Sequence, residues 1–339
     1  MPNKIAWDLL YDFQIILGMA KDLPEDSLRG SQALFTANRI INAFSPGDDN
    51  SIIQGLKIAN EFLQSKNGDA QHEIYAIGHC HIDTAWLWPF EETIRKAARS
   101  WSSQINLMDR YPEYKFICSQ AQQFEWVKDR YLPLWERIIE KITVGQFLPT
   151  GGTWVEMDTN MPSGESLCRQ FLLGQRFFEQ NFGKRCKVFW LPDSFGYSSQ
   201  LPQLMHLADM KYFFTQKLSW NNVNKFPLTT FWWVGLDGTK SLTHMAPSET
   251  YNAQCTPEEL VRSVKNHKDK VYSNTSLLVY GNGDGGGGPL ASMIERLRRM
   301  KNVDGLPKTE MALPTDFYQK IEQTATALPS WKGELVSLE

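Results

Sequence analysis

The segment Gly78-His79-Cys80-His81-Ile82-Asp83-Thr84-Ala85-Trp86-Leu87-Trp88 carries the densest chemistry in the chain. It follows Glu73-Ile74-Tyr75-Ala76-Ile77, a short apolar, β-branched run that reads as a buried strand. Side chains alternate faces along a strand, so an extended continuation would line up His79, His81 and Asp83. Two imidazoles and a carboxylate are a common donor set for a transition metal such as zinc. The same residues also suit a strand end closed by ordinary hydrogen bonds. Three of the six histidines (72, 79 and 81) fall within ten residues, which favours a site.

Four further motifs offer polar groups. Asp193 lies in Phe189-Trp190-Leu191-Pro192-Asp193-Ser194-Phe195-Gly196-Tyr197, between a proline and a Phe-Gly turn. Held on so stiff a loop it suits a metal ligand, a nucleophile or both; the plain alternative is a helix cap. Gly151-Gly152-Thr153-Trp154-Val155-Glu156-Met157-Asp158 sets Trp154 beside two carboxylates. That suits a sugar platform and equally suits a turn into the next helix. In Thr243-His244-Met245-Ala246-Pro247-Ser248-Glu249-Thr250-Tyr251, Glu249 and Tyr251 can face one cleft, or Glu249 can simply be exposed. Tyr280-Gly281-Asn282-Gly283-Asp284-Gly285-Gly286-Gly287-Gly288-Pro289 formally contains a dinucleotide-loop spacing. Asp284 puts an anion where a phosphate would sit, so the better reading is a flexible loop presenting Asp284 to a polar ligand. Carboxylates at several strand ends beside a metal pair describe a hydrolase of a polyhydroxylated substrate. A glycosidase needs two carboxyl groups in different environments, one as acid and one as nucleophile or base.

The elements that must position these groups alternate. Strands are expected at 74–79, 115–119, 187–191, 211–215, 241–245 and 276–280. Helices are expected at 90–110, 121–142, 163–181, 199–208, 256–270 and 288–300. This rhythm predicts an α/β fold with a mostly parallel sheet or a barrel, with sites at the carboxyl ends of the strands. Apolar residues at helical spacing before residue 68, broken at Pro46-Gly47-Asp48-Asp49-Asn50, predict a helical N-terminal segment. The boundary is expected near residue 70, giving segments 1–70 and 71–339.

At 339 residues with net charge −3, the chain has ample material for a core and no basic footprint for nucleic acid or an anionic membrane. Five widely spaced cysteines without a Cys-x-x-Cys pair favour reduced thiols. No apolar run approaches membrane-spanning length and no signal-like core precedes the first helix, so a cytoplasmic location is expected.

The His79–Trp88 stretch, Gly-Gly-Thr-Trp-Val-Glu-Met-Asp, Trp-Leu-Pro-Asp-Ser-Phe-Gly-Tyr and Gly-Asp-Gly-Gly-Gly-Gly-Pro together resemble the α-mannosidases of glycoside hydrolase family 38, nearest the animal cytosolic class. Ser119-Gln120-Ala121-Gln122-Gln123 and Gln216-Lys217-Leu218-Ser219-Trp220-Asn221 fit the same class. The resemblance implies a seven-stranded β/α barrel in residues 71–339 and a divalent metal, zinc or cobalt, held by His81, Asp83 and Asp193. His79 is not a ligand in the family pattern. Asp193 would also be the nucleophile of a retaining hydrolysis of terminal α-mannosides. Glu249 is the preferred acid/base with Asp284 as the alternative, and Trp86, Trp154 and Tyr251 would bind sugar. The implied substrate is an oligomannose-type glycan, as in the breakdown of free oligomannose, with no nucleic acid or membrane partner. The family's fourth ligand belongs to a Gln-Phe-His-Asp motif on a helical middle domain, and that motif does not occur here. Weak metal binding and little activity are therefore expected of these residues alone. The enzymatic alternative is a zinc-dependent polysaccharide deacetylase, although His206, His244 and His267 form no His-x-x-x-His pair. The non-enzymatic alternative is a sugar-binding fragment using Trp86, Trp88 and Trp154.

Overall fold

The computed structural model describes residues 3–69 and 71–336. Three helices come first: α1 (Lys4–Asp22), α2 (Leu28–Ala43) and α3 (Asp49–Leu63). The expected break at 46–50 is present, and a second falls at Leu23-Pro24, after which Ser27 caps α2 by accepting from the Gly30 amide. The expected boundary near residue 70 falls on Ala70, outside the described residues. The helical segment shares its apolar core with the rest of the chain: Ile15, Ile16 and Met19 belong to one buried cluster with Met300 and Leu306. Arg299 fastens the two parts together, pairing with Asp8 at 2.7 Å, with Asp12 at 2.9 Å and with Glu295.

The remainder runs β1 (Glu73–His79), α4 (Phe90–Arg110), β2 (Phe116–Cys118), α5 (Ala121–Arg130), α6 (Leu132–Thr143), β3 (Phe147–Pro149), α7 (Gly164–Phe182), β4 (Val188–Trp190) and β5 (Gly196–Tyr197). It continues through α8 (Leu201–Leu207), β6 (Tyr212–Phe214), β7 (Thr230–Val234), β8 (Lys240–His244), α9 (Pro257–Asn266), β9 (Thr275–Tyr280) and α10 (Ala291–Arg299). Last come β10 (Lys308–Met311), α11 (Pro314–Thr324), β11 (Ser330–Lys332) and β12 (Leu335–Val336). The helix expected over 121–142 divides at Tyr131, because Pro133 lacks an amide hydrogen and clashes with the preceding turn.

Ten of the twelve described strands form two five-stranded sheets, and β5 pairs with β12 apart from them. One carries β10, β1, β2 and β3 with β9 also on β1; the other runs β11-β7-β8-β6-β4. All pairings within them are parallel except β7 with β8. The expected closed seven-stranded barrel is therefore met only as an α/β arrangement of two separate sheets. The cause is visible at β8, whose edges are occupied by β6 and by the antiparallel β7, leaving none for β9. The sheets nonetheless share one interior. Ile77, Ile117, Leu277 and Val279 from the first meet Val188, Trp190, Phe214 and Leu242 from the second in a single buried cluster.

Three buried histidines lie apart from the His81 region. His72 Nε2 is 2.9 Å from Ser276 Oγ, His244 Nδ1 is 2.9 Å from Thr230 Oγ1, and His267 Nε2 is 3.0 Å from the Ser273 carbonyl. Burial holds all three rings toward the neutral form, His72 down to about 3. A base with a depressed folded pKa contributes stability above its unfolded value, near 6.5, and loses it as pH falls. The urea midpoint is accordingly expected to drop steadily from pH 6.5 toward pH 4. The His72→Gln variant is expected to show a shallower slope; an unchanged slope would contradict a neutral His72.

Candidate metal and catalytic site

The strand β1 ends at His79, and residues 80–83 follow it as a loop. Of the three donors expected on one strand face, only His79 lies within β1. His79 turns into the interior, where its Nε2 accepts from the Trp190 indole N–H at 3.3 Å. Close approach of β1 to β2 is possible because Gly78 has no Cβ; one would stand 2.6 Å from the Lys115 carbonyl. The loop after β1 is clamped instead by two amides. Gln120 and Gln123 both donate to the Ile82 carbonyl, at 2.8 and 2.7 Å. Gln120, with φ of 72°, also accepts from Thr84 Oγ1 at 2.7 Å and from the Glu156 amide at 3.1 Å.

Within this frame His81 Nε2 lies 3.4 Å from Asp83 Oδ1 and 3.5 Å from Asp193 Oδ2. One donor atom from each of these three residues falls within 4.8 Å of the others. Asp193 comes from the loop after β4, braced where Ser194 Oγ donates to the Met157 carbonyl at 2.7 Å. The antiparallel pair β5–β12 holds the same loop from its other end. On the far side of Asp193, Lys217 Nζ stands 3.2 Å from Oδ1 and 4.0 Å from the centre of the Phe195 ring.

These residues fit a divalent metal. His81 is buried and its Nε2 has no hydrogen-bond partner. A tetrahedral ion with bonds of roughly 2.1 Å keeps its donors about 3.4 Å apart, which is the spacing found here between nitrogen and oxygens. One imidazole and two carboxylates form a borderline-hard set suited to zinc or a neighbouring transition ion. Among the described residues this is the one grouping of its kind. Burial favours the neutral His81 ring, but Glu156, Asp193 and Asp83 together hold it well above the usual histidine range. Burial likewise works against ionised Asp193, while His81 and Lys217 keep its carboxyl below the usual range.

Of the two carboxyl groups expected as acid/base, Asp284 adjoins the metal donors. It sits in the left-handed region (φ 49°) of the glycine loop after β9. It accepts from Tyr251 Oη and from Asn252 Nδ2, each at 2.8 Å. The Tyr251 ring packs 5.1 Å from the His81 ring. Burial, and then the charges of Asp193 and Asp284, push the Tyr251 hydroxyl far above its usual range. Glu249 lines a different cleft with Lys225, Asn266 and Lys268, its backbone turned there by a φ of 60°. Trp86 is exposed beside Asp83, at 56%. Trp154 is half-buried, its indole N–H donating to Gln122 Oε1 and its ring edge against Phe177.

Two residues to which the sequence assigns no role also adjoin the site: Glu156, 3.1 Å from His81 Nδ1, and Lys217. Both lie inside motifs visible in the sequence, but nothing in their spacing reveals their partners. His244 and His267 are held elsewhere, so neither supplies a further imidazole here.

A model of the glycosyl hydrolases family 38 N-terminal domain matches residues 71–334. Human alpha-mannosidase 2C1 is 52% identical over 327 residues, covering 96% of this chain and 31% of that protein. Alpha-mannosidase G of Dictyostelium discoideum is 51% identical over 336 residues, covering 99% of this chain and 31% of its own length. This chain thus spans about a third of the curated relatives it matches. The crystal structure of an alpha-mannosidase from Enterococcus faecalis V583 superposes with a TM-score of 0.66 at 19% identity, over 78% of this chain and 31% of that one, a likeness of fold. With most of its length under the family model and half its residues shared with those relatives, the chain belongs to glycosyl hydrolase family 38.

Proposed function

We propose that the chain is the catalytic portion of a metal-dependent, retaining α-mannosidase that removes terminal non-reducing α-mannose from oligomannose-type glycans. The observation that carries this is the convergence of His81, Asp83 and Asp193 beside the Tyr251–Asp284 pair. The relatives' names supply the sugar. His81 Nε2, Asp83 and Asp193 would hold zinc or cobalt. When bound, the ion supplies a Lewis acid that binds sugar hydroxyls and favours ring distortion.

The remaining steps belong to side chains. Asp193 Oδ2 faces His81, which leaves Oδ1, beside the Lys217 ammonium, as the nucleophile. It attacks the anomeric carbon as the bond to the leaving oxygen breaks, and Asp284 delivers its proton to that oxygen. Water then attacks the mannosyl ester, gives its proton to Asp284 and releases Asp193. Tyr251 donates to Asp284 and packs against His81, which sets the proposed acid on the same side of the site as the metal donors. Trp86, exposed in the loop that carries Asp83, offers a face for a sugar ring; Trp154 and Tyr251 are the other aromatic candidates for sugar contact. No helix of the described residues is long and apolar enough to cross a membrane, in keeping with a proposed cytoplasmic location.

With three donors grouped among the described residues, weak loading is expected, so the test is run with metal in excess. The chain is treated with a mannose-configured mechanism-based inactivator and digested for mass spectrometry. A stable mannosyl ester on Asp193, lost on chelation, is the expected result. No labelling at any metal concentration would leave a sugar-binding fragment, and acetate release from an acetylated polymer would indicate a deacetylase instead.

A further inference from the structure

The sequence motifs Ser119–Gln123 and Gly151–Asp158 take no part in the proposed catalytic steps, yet the fold brings them together behind His81. The Glu156 side chain is 6% exposed and His81 is 2% exposed. Their facing atoms, Glu156 Oε2 and His81 Nδ1, are 3.1 Å apart. The other carboxylate oxygen, Oε1, accepts a hydrogen bond from Ser119 Oγ. The Glu156 amide is tied to Gln120 Oε1, and the same Gln120 side chain donates through Nε2 to Ile82, next to His81. Glu156 is therefore held at both its backbone and its far oxygen, and its remaining oxygen, which like His81 Nδ1 makes no other hydrogen bond, lies 3.1 Å from that ring nitrogen.

We propose that Glu156 is a positioning residue that dictates which nitrogen of His81 is presented to the metal. A neutral imidazole carries one N–H and one lone pair, and the partner of one nitrogen decides the role of the other. A carboxylate can only accept here, so Nδ1 keeps its hydrogen and Nε2 keeps its lone pair toward Asp83 and Asp193. The negative charge also makes the ring a stronger donor, and losses of such partners typically cost 10–100-fold in metal affinity. Ser119 acts one step further out by fixing the carboxylate's rotation. The inference rests on the reading of His81, Asp83 and Asp193 as a metal site, and two sets of variants separate them.

Zinc and cobalt affinities are measured on the 339-residue chain by competition with a chromogenic chelator, beside the melting temperature of each metal-free variant. Glu156→Gln keeps an acceptor oxygen in place and loses the charge, so an affinity loss of about 10-fold is expected. Glu156→Leu removes both and is expected to lose about 100-fold, with Ser119→Ala intermediate between wild type and Glu156→Gln. Partial rescue by the isosteric Gln, at an unchanged metal-free melting temperature, is what a purely structural role would not produce. If Glu156→Leu fails to fold, Glu156→Gln alone carries the comparison. Wild-type affinity in Glu156→Gln and in any folded Glu156→Leu, while His81→Ala binds no metal, overturns the role of Glu156 and leaves the metal site intact. Equal binding by wild type and His81→Ala, or no binding by either, overturns the metal-site reading and this inference with it.

Discussion

Asp193→Asn is expected to lower single-turnover hydrolysis of a dinitrophenyl α-mannoside by on the order of 10³-fold or more, the scale seen when a nucleophile is removed from a group that acts as a unit. The substitution is nearly isosteric, so the loop, braced through Ser194 and β5, keeps its path. What changes is charge. The amide has no full negative charge for Lys217 and is a poor donor to a cation. Two measurements distinguish the two roles assigned to this residue. Metal affinity in Asp193→Asn reports its part as ligand. Azide added to the smaller Asp193→Ala reports its part as nucleophile, because a small anion in the vacated space can attack the anomeric carbon from the same face. A mannosyl azide of inverted configuration is the expected product. Retention of more than a tenth of wild-type turnover in Asp193→Asn would remove Asp193 from the chemistry altogether.

The second large effect belongs to Asp284. A general acid contributes about 10²–10⁴-fold, and its loss is felt most with leaving groups that need protonation. Asp284→Asn is therefore expected to cost about that factor with methylumbelliferyl or mannose leaving groups, and far less with dinitrophenol. Tyr251→Phe removes one of the two hydrogen bonds that aim the carboxylate and is expected to show the same dependence on leaving group in weaker form. Glu249→Gln is the control: its cleft with Lys225 and Lys268 is separate, and turnover should stay within about twofold of wild type. If Glu249→Gln shows the leaving-group dependence and Asp284→Asn does not, the two assignments exchange.

The local signals in the sequence translate well where periodicity is strong. The strand expected at 74–79 spans Glu73–His79, and the helix expected at 90–110 spans Phe90–Arg110. They fail where an element owes its existence to its neighbour. Lys308-Thr309-Glu310-Met311 has no apolar run, and it is a strand because β1 offers it an edge. Thr230–Val234, though rich in aromatic and β-branched residues, is not among the strands expected, and its antiparallel pairing with β8 is what leaves the second sheet no edge for β9. At the site, the grouping of His81 with Asp83 is legible from alternation, whereas the separate placement of His79 depends on its tertiary contact with the Trp190 indole. Glu156 and Lys217 are visible as residues but not as partners, since each meets its carboxylate or imidazole only through the tertiary fold. The choice between Glu249 and Asp284 is likewise a matter of backbone direction, set by positive φ angles that no hydropathy pattern reports.

The pairing of β5 with β12 has a temporal consequence. Leu335 and Val336 sit across from Tyr197 and Gly196, the strand immediately beyond the Asp193 loop, and Asn221 adds a hydrogen bond to the Val336 carbonyl at 3.2 Å. Non-local pairings form late because the intervening chain must first be brought into register. Both halves of the centre await residues far downstream, the Asp193 loop for β12 and the strand leading to His81 for β9 and β10. Retention of an ion is therefore expected only after these long-range pairings have closed. On refolding from denaturant, chains should therefore regain helical signal before they retain bound metal.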